Sequence, residues 1–263
     1  MNFIVLLKMT PDVVEELEIA DDGRRLDPTS LRMILSEWCG HALEQAVLLK
    51  ERHGGTITVV ALQAPEVEEA LFTAAALGAG RLMCVEGDFS CCGGPAEARV
   101  LAEVLRDRGA ITPDSLILTG SQAIDDLEGE MGAHLAHLLD LPYLGVITGV
   151  TLQPENNKVI VLKEFAGGLR GRFALPLPAV LGIQAAERPP RYVPVAKVMA
   201  ARKTAKIETV TAAAAAAPTV DVARLFKPEA AGRARMLDGP PEDAARRLAG
   251  ILAEQGLIPG GIS

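Results

Sequence analysis

Short apolar runs alternate with helical patterns through the first half of this chain, and that alternation constrains the fold more than any other feature. Residues 3–7 (Phe-Ile-Val-Leu-Leu) read as a strand, followed by a polar loop over 11–31. Residues 37–52 read as a helix with Leu43, Ala46 and Val47 on one face, ended by Gly54-Gly55. Thr56–Leu62 is rich in β-branched residues and reads as a strand, and 66–77 as a helix closing at Gly78. A strand over 81–85, a helix over 95–108 with Val100, Leu101, Val104 and Leu105 turned inward, a strand over 116–119 and a helix over 128–139 complete the series. Such a series predicts an α/β fold, with an open, mainly parallel, Rossmann-like sheet and helices on both faces.

From Gly145 the pattern changes. Residues 145–152, 158–164, 172–175 and 179–184 read as strands with few helical residues between them. Glu155-Asn156-Asn157 and Gly167-Gly168 read as hairpin turns, so an antiparallel extension of the sheet is expected. Pro189-Pro190 then opens a basic, proline-containing stretch. This places a boundary: residues 1–188 as the α/β domain, residues 189–263 as a docking loop and long C-terminal arm. The alanine-rich tract 212–217 reads as a linker. Pro240-Pro241 opens a last helix, with Ala244, Leu248, Ile251 and Leu252 on one face and Gly256 as its stop. That apolar face must pack on the core or on another chain.

Composition excludes several classes. With 49% hydrophobic residues in 263 the chain can bury a sizeable core, and with 3% aromatics that core is aliphatic. A net charge of −8 argues against nucleic acid and anionic membranes as main partners. Cys39, Cys84, Cys91 and Cys92 contain no C-x-x-C spacing, so reduced thiols are expected and not a zinc site or disulfide framework. The first apolar run ends at Lys8, too short for a signal-peptide core, and no stretch approaches the ~18 apolar residues of a membrane span. A cytoplasmic protein with no membrane insertion is expected, or a mitochondrial-matrix one if the source is eukaryotic.

The chemistry concentrates where the 116–119 run meets the next helix, in Gly120-Ser121-Gln122-Ala123-Ile124-Asp125-Asp126-Leu127-Glu128-Gly129-Glu130-Met131-Gly132. At that place a parallel sheet delivers a ligand to the N–H groups of a helix N-terminus. Gly120 permits a tight turn or close ligand approach, and Asp125 and Asp126 suit the capping of a helix start. On chemistry alone, a nucleotide-binding turn and a plain capped βα loop stand level.

The wording goes further. Gln122-Ala123-Ile124-Asp125-Asp126 after Gly120 resembles the nucleotide-binding segment of electron transfer flavoprotein β subunits, usually Gly-Lys-Gln-Ala-Ile-Asp-Asp-Asp with Gln and Gly soon after. The resemblance runs in order over nearly the whole chain. It includes Leu7-Lys8-Met9-Thr10-Pro11-Asp12, Ser36-Glu37-Trp38-Cys39 with Ala42-Leu43-Glu44-Gln45-Ala46, and Ala74-Ala75-Ala76-Leu77-Gly78-Ala79-Gly80-Arg81. It continues through Glu164-Phe165-Ala166-Gly167-Gly168-Leu169, Leu177-Pro178-Ala179-Val180, Pro190-Arg191-Tyr192 and Val198-Met199-Ala200-Ala201-Arg202-Lys203.

That resemblance implies a β subunit that buries an adenine nucleotide, AMP in ordinary members or a second FAD in electron-bifurcating ones. It implies a FAD shared with an α subunit in a heterodimer, and shuttling of electrons between a flavin-linked dehydrogenase and an acceptor. By match, the nucleotide pocket is lined by Leu6, Ser36, Glu37, Trp38, Cys39, Leu62 and the turn from Gly120 to Met131. Trp38 takes the aromatic place near the flavin. Arg191, Tyr192, Val195, Val198 and Met199 fall in the segment that docks on the dehydrogenase, with Val195 at the usual leucine anchor. Ser36 stands for the pocket Asn, Leu127 for a third Asp, Glu130 for a Gln, Ala166 for an Asp and Ala200 for a docking-loop Lys, a pattern that looks like a divergent branch. Glu130 would repel an anion unless a cation or helix dipole offset it.

Rival readings come from other residues. Glu130, His134 and His137, with Asp140 near, share a helix face at a spacing that suits a metal or simply a solvated face. The basic run 188–206 lacks stacking aromatics and so suits protein docking rather than nucleic acid. No residue reads as a nucleophile or general acid–base, so no independent catalysis is expected. A stand-alone adenine-nucleotide-binding regulatory module is the alternative to a partner-bound subunit.

Overall fold

The structure is a computed structural model that describes residues 1–89, 92–212, 222–228, 234 and 236–258. The chain opens with β1 (Asn2–Leu7), the short β2 (Met9–Pro11) and β3 (Met33–Leu35), then α1 (Glu37–His53), β4 (Thr56–Leu62), α2 (Val67–Ala76) and β5 (Arg81–Glu86). It continues through α3 (Gly94–Asp107), β6 (Ser115–Gly120) and α4 (Met131–Leu139). β7 (Tyr143–Gln153), β8 (Lys158–Glu164), β9 (Arg170–Pro176) and β10 (Ala179–Ile183) follow, then α5 (Val195–Thr204), β11 (Ile207–Thr211) and α6 (Pro241–Glu254).

Nine strands form one sheet in the order β11-β5-β4-β1-β6-β10-β7-β8-β9. Neighbours from β11 to β7 pair in parallel. The β7-β8-β9 end is antiparallel. The expected α/β architecture with an antiparallel extension is therefore what the chain forms. Because both faces are covered, central strands are apolar throughout rather than alternating. In β1, Phe3, Val5 and Leu7 face α1 and α2, while Ile4 and Leu6 face α3 and α4. Burial of each such side chain is worth ~1.5–3 kcal/mol relative to exposure, so the two aliphatic layers dominate the stability.

Three local readings are refined. The helix expected from residue 128 starts at Met131. The preceding loop is closed by a reciprocal pair, Ala123 N–H donating to Asp126 O (3.0 Å) and Asp126 N–H to Ala123 O (3.1 Å), and Gly129 turns it at φ 63°. Asp125 and Asp126 thus lie too early to cap α4. The segment read as a polar loop is one, from residue 12 to residue 32, and it is flanked by the antiparallel β2–β3 ribbon, whose three-residue strands carry no periodicity to detect. Finally, 189–211 is not a free arm. α5 lies against α2, with the Arg202 guanidinium 5.8 Å from the Phe72 ring centre. β11 joins the sheet in parallel beside β5, where Glu208 accepts from Arg81 (2.8 Å) and Arg108 (3.0 Å).

The first compact unit accordingly runs Met1–Arg224, past the boundary expected at 188/189, and the second is Leu225–Ser263. The second holds α6, with Pro241 in its first turn, Glu242 and Asp243 at its positive end and Gly256 at φ 70° just beyond. The alanine tract 213–217 and Cys91 lie outside the described residues. Among the described residues no helix is long and apolar enough to cross a membrane.

Candidate functional site

Winding sets the site. The chain runs from β1 to β4 and β5 on one side and returns to place β6 on the other, so the C-terminal ends of β1 and β6 border a topological switch point. Lys8 follows β1, Gly120 ends β6, and a cleft opens between them. It is lined by Lys8, Cys39, Glu97, Gly120, Ser121, Gln122, Ala123, Asp126, Gly129, Met131 and Gly132.

The turn is held from several sides. Ser121 N–H donates to Ile183 O (2.9 Å) and its hydroxyl donates to Gln184 Oε1 (2.8 Å), which ties the turn to the end of β10. Gly129 N–H reaches Asp126 Oδ1 at 3.4 Å. Gly120 has no room for a side chain: a Cβ there would stand 2.9 Å from Trp38 Cβ and 3.1 Å from Cys39 N. The close seating of α1 alone is enough to require glycine here, beside the tight turn or close ligand approach that it permits.

Charge gathers at Lys8. Its Nζ lies 3.5 Å from Glu97 Oε1 and 3.5 Å from Asp125 Oδ1. Burial works against the ammonium, but Glu97, Asp125 and Asp126 outweigh it and raise the Lys8 pKa. Burial also pushes the Glu97 carboxyl up, with Lys8 opposing and Asp125 and Asp126 assisting. The Cys39 thiol, sealed in the cleft wall, is pushed up by burial, so it is a neutral packing group rather than a nucleophile.

Of the residues expected from sequence, Cys39, Gly120, Ser121, Gln122, Ala123, Asp126, Gly129 and Met131 line the cleft, and Asp125 reaches it through Lys8. Trp38 packs behind Gly120. Leu6 and Leu62 belong to the aliphatic layer under α3 and α4. Ser36 is buried, and its hydroxyl oxygen has no N or O partner. Glu37, Ile124, Leu127, Glu128 and Glu130 are exposed. Glu130 does not line the cleft, and its carboxylate lies 3.6 Å from His134 Nε2. Among the described residues no group of three or more His, Cys, Asp and Glu is placed to hold a metal.

Sequence reasoning missed Lys8, Glu97 and Gly132 as lining residues. Lys8 stood in a recognised motif; Glu97 carried no signal beyond its small neighbours Ala96 and Ala98.

Of the docking residues, Tyr192, Val195 and Met199 are exposed at 82%, 69% and 50%, on or just before α5. Val198 is partly buried and turns toward α2. Arg191 is committed within the chain: its guanidinium forks on Glu44 (2.7 Å) and Glu51 (2.6 Å) of α1.

The electron transfer flavoprotein domain model matches residues 26–215. An electron transfer flavoprotein subunit beta of Methylophilus methylotrophus is 30% identical over 267 residues, covering 97% of this chain and 98% of that protein. The Bacillus subtilis subunit beta is 29% identical, over 98% of this chain and 100% of that protein, and the Mus musculus one is 33% identical over 81% and 82%. With the parallel sheet, the switch-point cleft and the Gln-Ala-Ile-Asp-Asp turn in place, these likenesses make the chain a member of the electron transfer flavoprotein β-subunit family.

Proposed function

We propose that this β subunit carries an adenine nucleotide in the switch-point cleft and works in a heterodimer with a FAD-bearing α subunit, passing electrons between a flavin-linked dehydrogenase and an acceptor. The observation that carries the nucleotide reading is the convergence of Lys8 and the Gly120–Gly132 turn on one cleft at the sheet's switch point. The residues fit the phosphate end of such a ligand: one ammonium, at Lys8, and the turn 120–132 that leads into the N-terminus of α4. FAD supplies the redox chemistry when bound. The chain's own residues bind the nucleotide, place the Trp38 indole and present α5.

The decisive experiment is to co-purify the chain with its α subunit and count adenine nucleotides and flavins per heterodimer. One FAD and one AMP supports the ordinary carrier; two FAD supports the bifurcating form. A chain that is monomeric, binds nucleotide alone and takes up no flavoprotein partner would establish the regulatory-module alternative. Lys8→Gln removes the only Lys or Arg among the described residues lining the cleft, and is expected to lower co-purified nucleotide at least tenfold with the fold retained. Undiminished nucleotide in a folded Lys8→Gln chain would refute the placement.

Docking is assigned to the exposed apolar side chains of α5 and its approach. Val195→Ala should slow electron transfer under limiting dehydrogenase several-fold while nucleotide and flavin content stay unchanged, and added salt should slow association through Lys197, Arg202 and Lys203. A parental rate for Val195→Ala would remove the anchor role.

A further inference from the structure

The cleft offers an incoming phosphate one ammonium, and that ammonium is already engaged. Lys8 Nζ sits between Glu97 and Asp125, 3.5 Å from each, and Asp126 lines the same cleft. The two nearer carboxylates differ in freedom. Asp125 has a side chain 35% exposed, on a turn, and is able to swing into water. The Glu97 side chain is 10% exposed and is carried on α3 rather than on a turn, so it has little water to withdraw into. We propose that Glu97 is a specificity-determining residue of this cleft, competing with the phosphate of the ligand for the Lys8 ammonium. The inference rests on the nucleotide reading above and adds what that site selects.

Two consequences follow. First, a phosphate beside Lys8 faces a buried carboxylate with little access to water, so the complex is relieved when Glu97 takes up a proton. Burial already favours the protonated form of Glu97, and the phosphate's negative charge favours it further. The complex then holds a proton over a range in which the free protein has released it, and affinity rises as pH falls. The charged groups that bear on Glu97 are Lys8 at the end of β1 and Asp125 and Asp126 on the turn, with the Cys39 thiol of α1 lining the same cleft. Second, each added phosphate brings more negative charge toward Glu97, so AMP should bind more tightly than ADP or ATP.

The test is calorimetric titration of the nucleotide-depleted protein with AMP at pH 6.5 and 8.5, for the parent and Glu97→Gln. AMP's own second ionisation is common to both proteins, so the difference between them reads Glu97. Expected are AMP binding about tenfold tighter in Glu97→Gln at pH 8.5, a smaller gap at pH 6.5, less proton uptake in the variant, and a narrowed preference for AMP over ATP. Equal affinities and equal proton uptake in the two proteins would overturn the role of Glu97 while leaving the nucleotide site standing. No AMP bound by either protein would overturn the nucleotide reading itself and the inference with it. Should Glu97→Gln fail to fold, the methyl ester of AMP, whose single charge is constant over this range, decides the matter on the parent: affinity falling from pH 6.5 to 8.5 supports competition by Glu97, and a flat profile refutes it.

Discussion

Gly120→Val should cost the protein its fold before it costs it any ligand. A Cβ at this position stands 2.9 Å from Trp38 Cβ and 3.1 Å from both Cys39 N and Trp38 C. Two of those three atoms are backbone in the first turn of α1, which cannot rotate aside as a side-chain tip does. The branched side chain then adds two methyl groups in the same gap. Overpacking ordinarily costs ~1–3 kcal/mol, and forcing a helix off its sheet lies at or beyond the top of that range. For a chain of this size, a loss of about 3 kcal/mol lowers Tm by about 6–12 °C. Thermal unfolding with and without saturating AMP checks it. A parental Tm combined with lost nucleotide would show that the glycine serves ligand approach instead.

That contrast shows where sequence stops being informative. A glycine after a parallel strand says that something comes close, not what comes close. The identity of the neighbour depends on how deeply α1 seats, and the Trp38 and Cys39 that meet Gly120 are more than eighty residues away in the chain. Strands such as Thr56–Leu62 and Lys158–Glu164 are legible to the residue, because runs rich in β-branched and aliphatic residues start directly after the Gly55 and Asn157 turns. β10 was legible as a strand but its place was not. It is inserted between β6 and β7, a pairing that no local pattern encodes. β11 was lost for the opposite reason: five residues, Ile-Glu-Thr-Val-Thr, between a basic helix and an alanine tract give too little signal, although Glu208 and its two arginines secure it in space.

The site divides along the same line. The turn 120–132 is contiguous, so its wording was readable. Lys8, Glu97 and Cys39 reach the cleft from β1, α3 and α1, and only tertiary packing brings them together. Glu97 in particular reads as an ordinary polar residue on an amphipathic helix until α3 is laid on the sheet. The same holds for Arg191, which reads as part of the docking segment while its own chain already holds the carboxylates it uses.

Arg191→Ala is therefore expected to act as a stability mutation even with no partner present. The guanidinium donates through Nη2 to Glu44 Oε1 (2.7 Å) and through Nε to both Glu44 oxygens (2.9 and 3.0 Å), and Arg191 N–H adds a bond to Oε2 (3.2 Å). The Glu44 side chain is 3% exposed, so truncation leaves a carboxylate inside α1's buried face without the cation that forks on it. Breaking a fully buried pair costs ~3–5 kcal/mol, and because the Arg191 side chain is 38% exposed, water enters to replace part of it, giving about 2–3 kcal/mol. The Glu51 contact, which is at the surface, adds little. Tm should fall by about 4–12 °C. Arg191→Lys should lie between parent and Ala, since an ammonium cannot fork. Glu44→Gln placed in the Arg191→Ala chain should recover part of the loss, because it removes the stranded charge. Electron transfer should slow as well, but indirectly, as the segment leading to Tyr192 and Val195 loses its anchor on α1. A parental Tm for Arg191→Ala, with only the transfer rate reduced, would return Arg191 to the docking surface and mean that Glu44 tolerates burial without it.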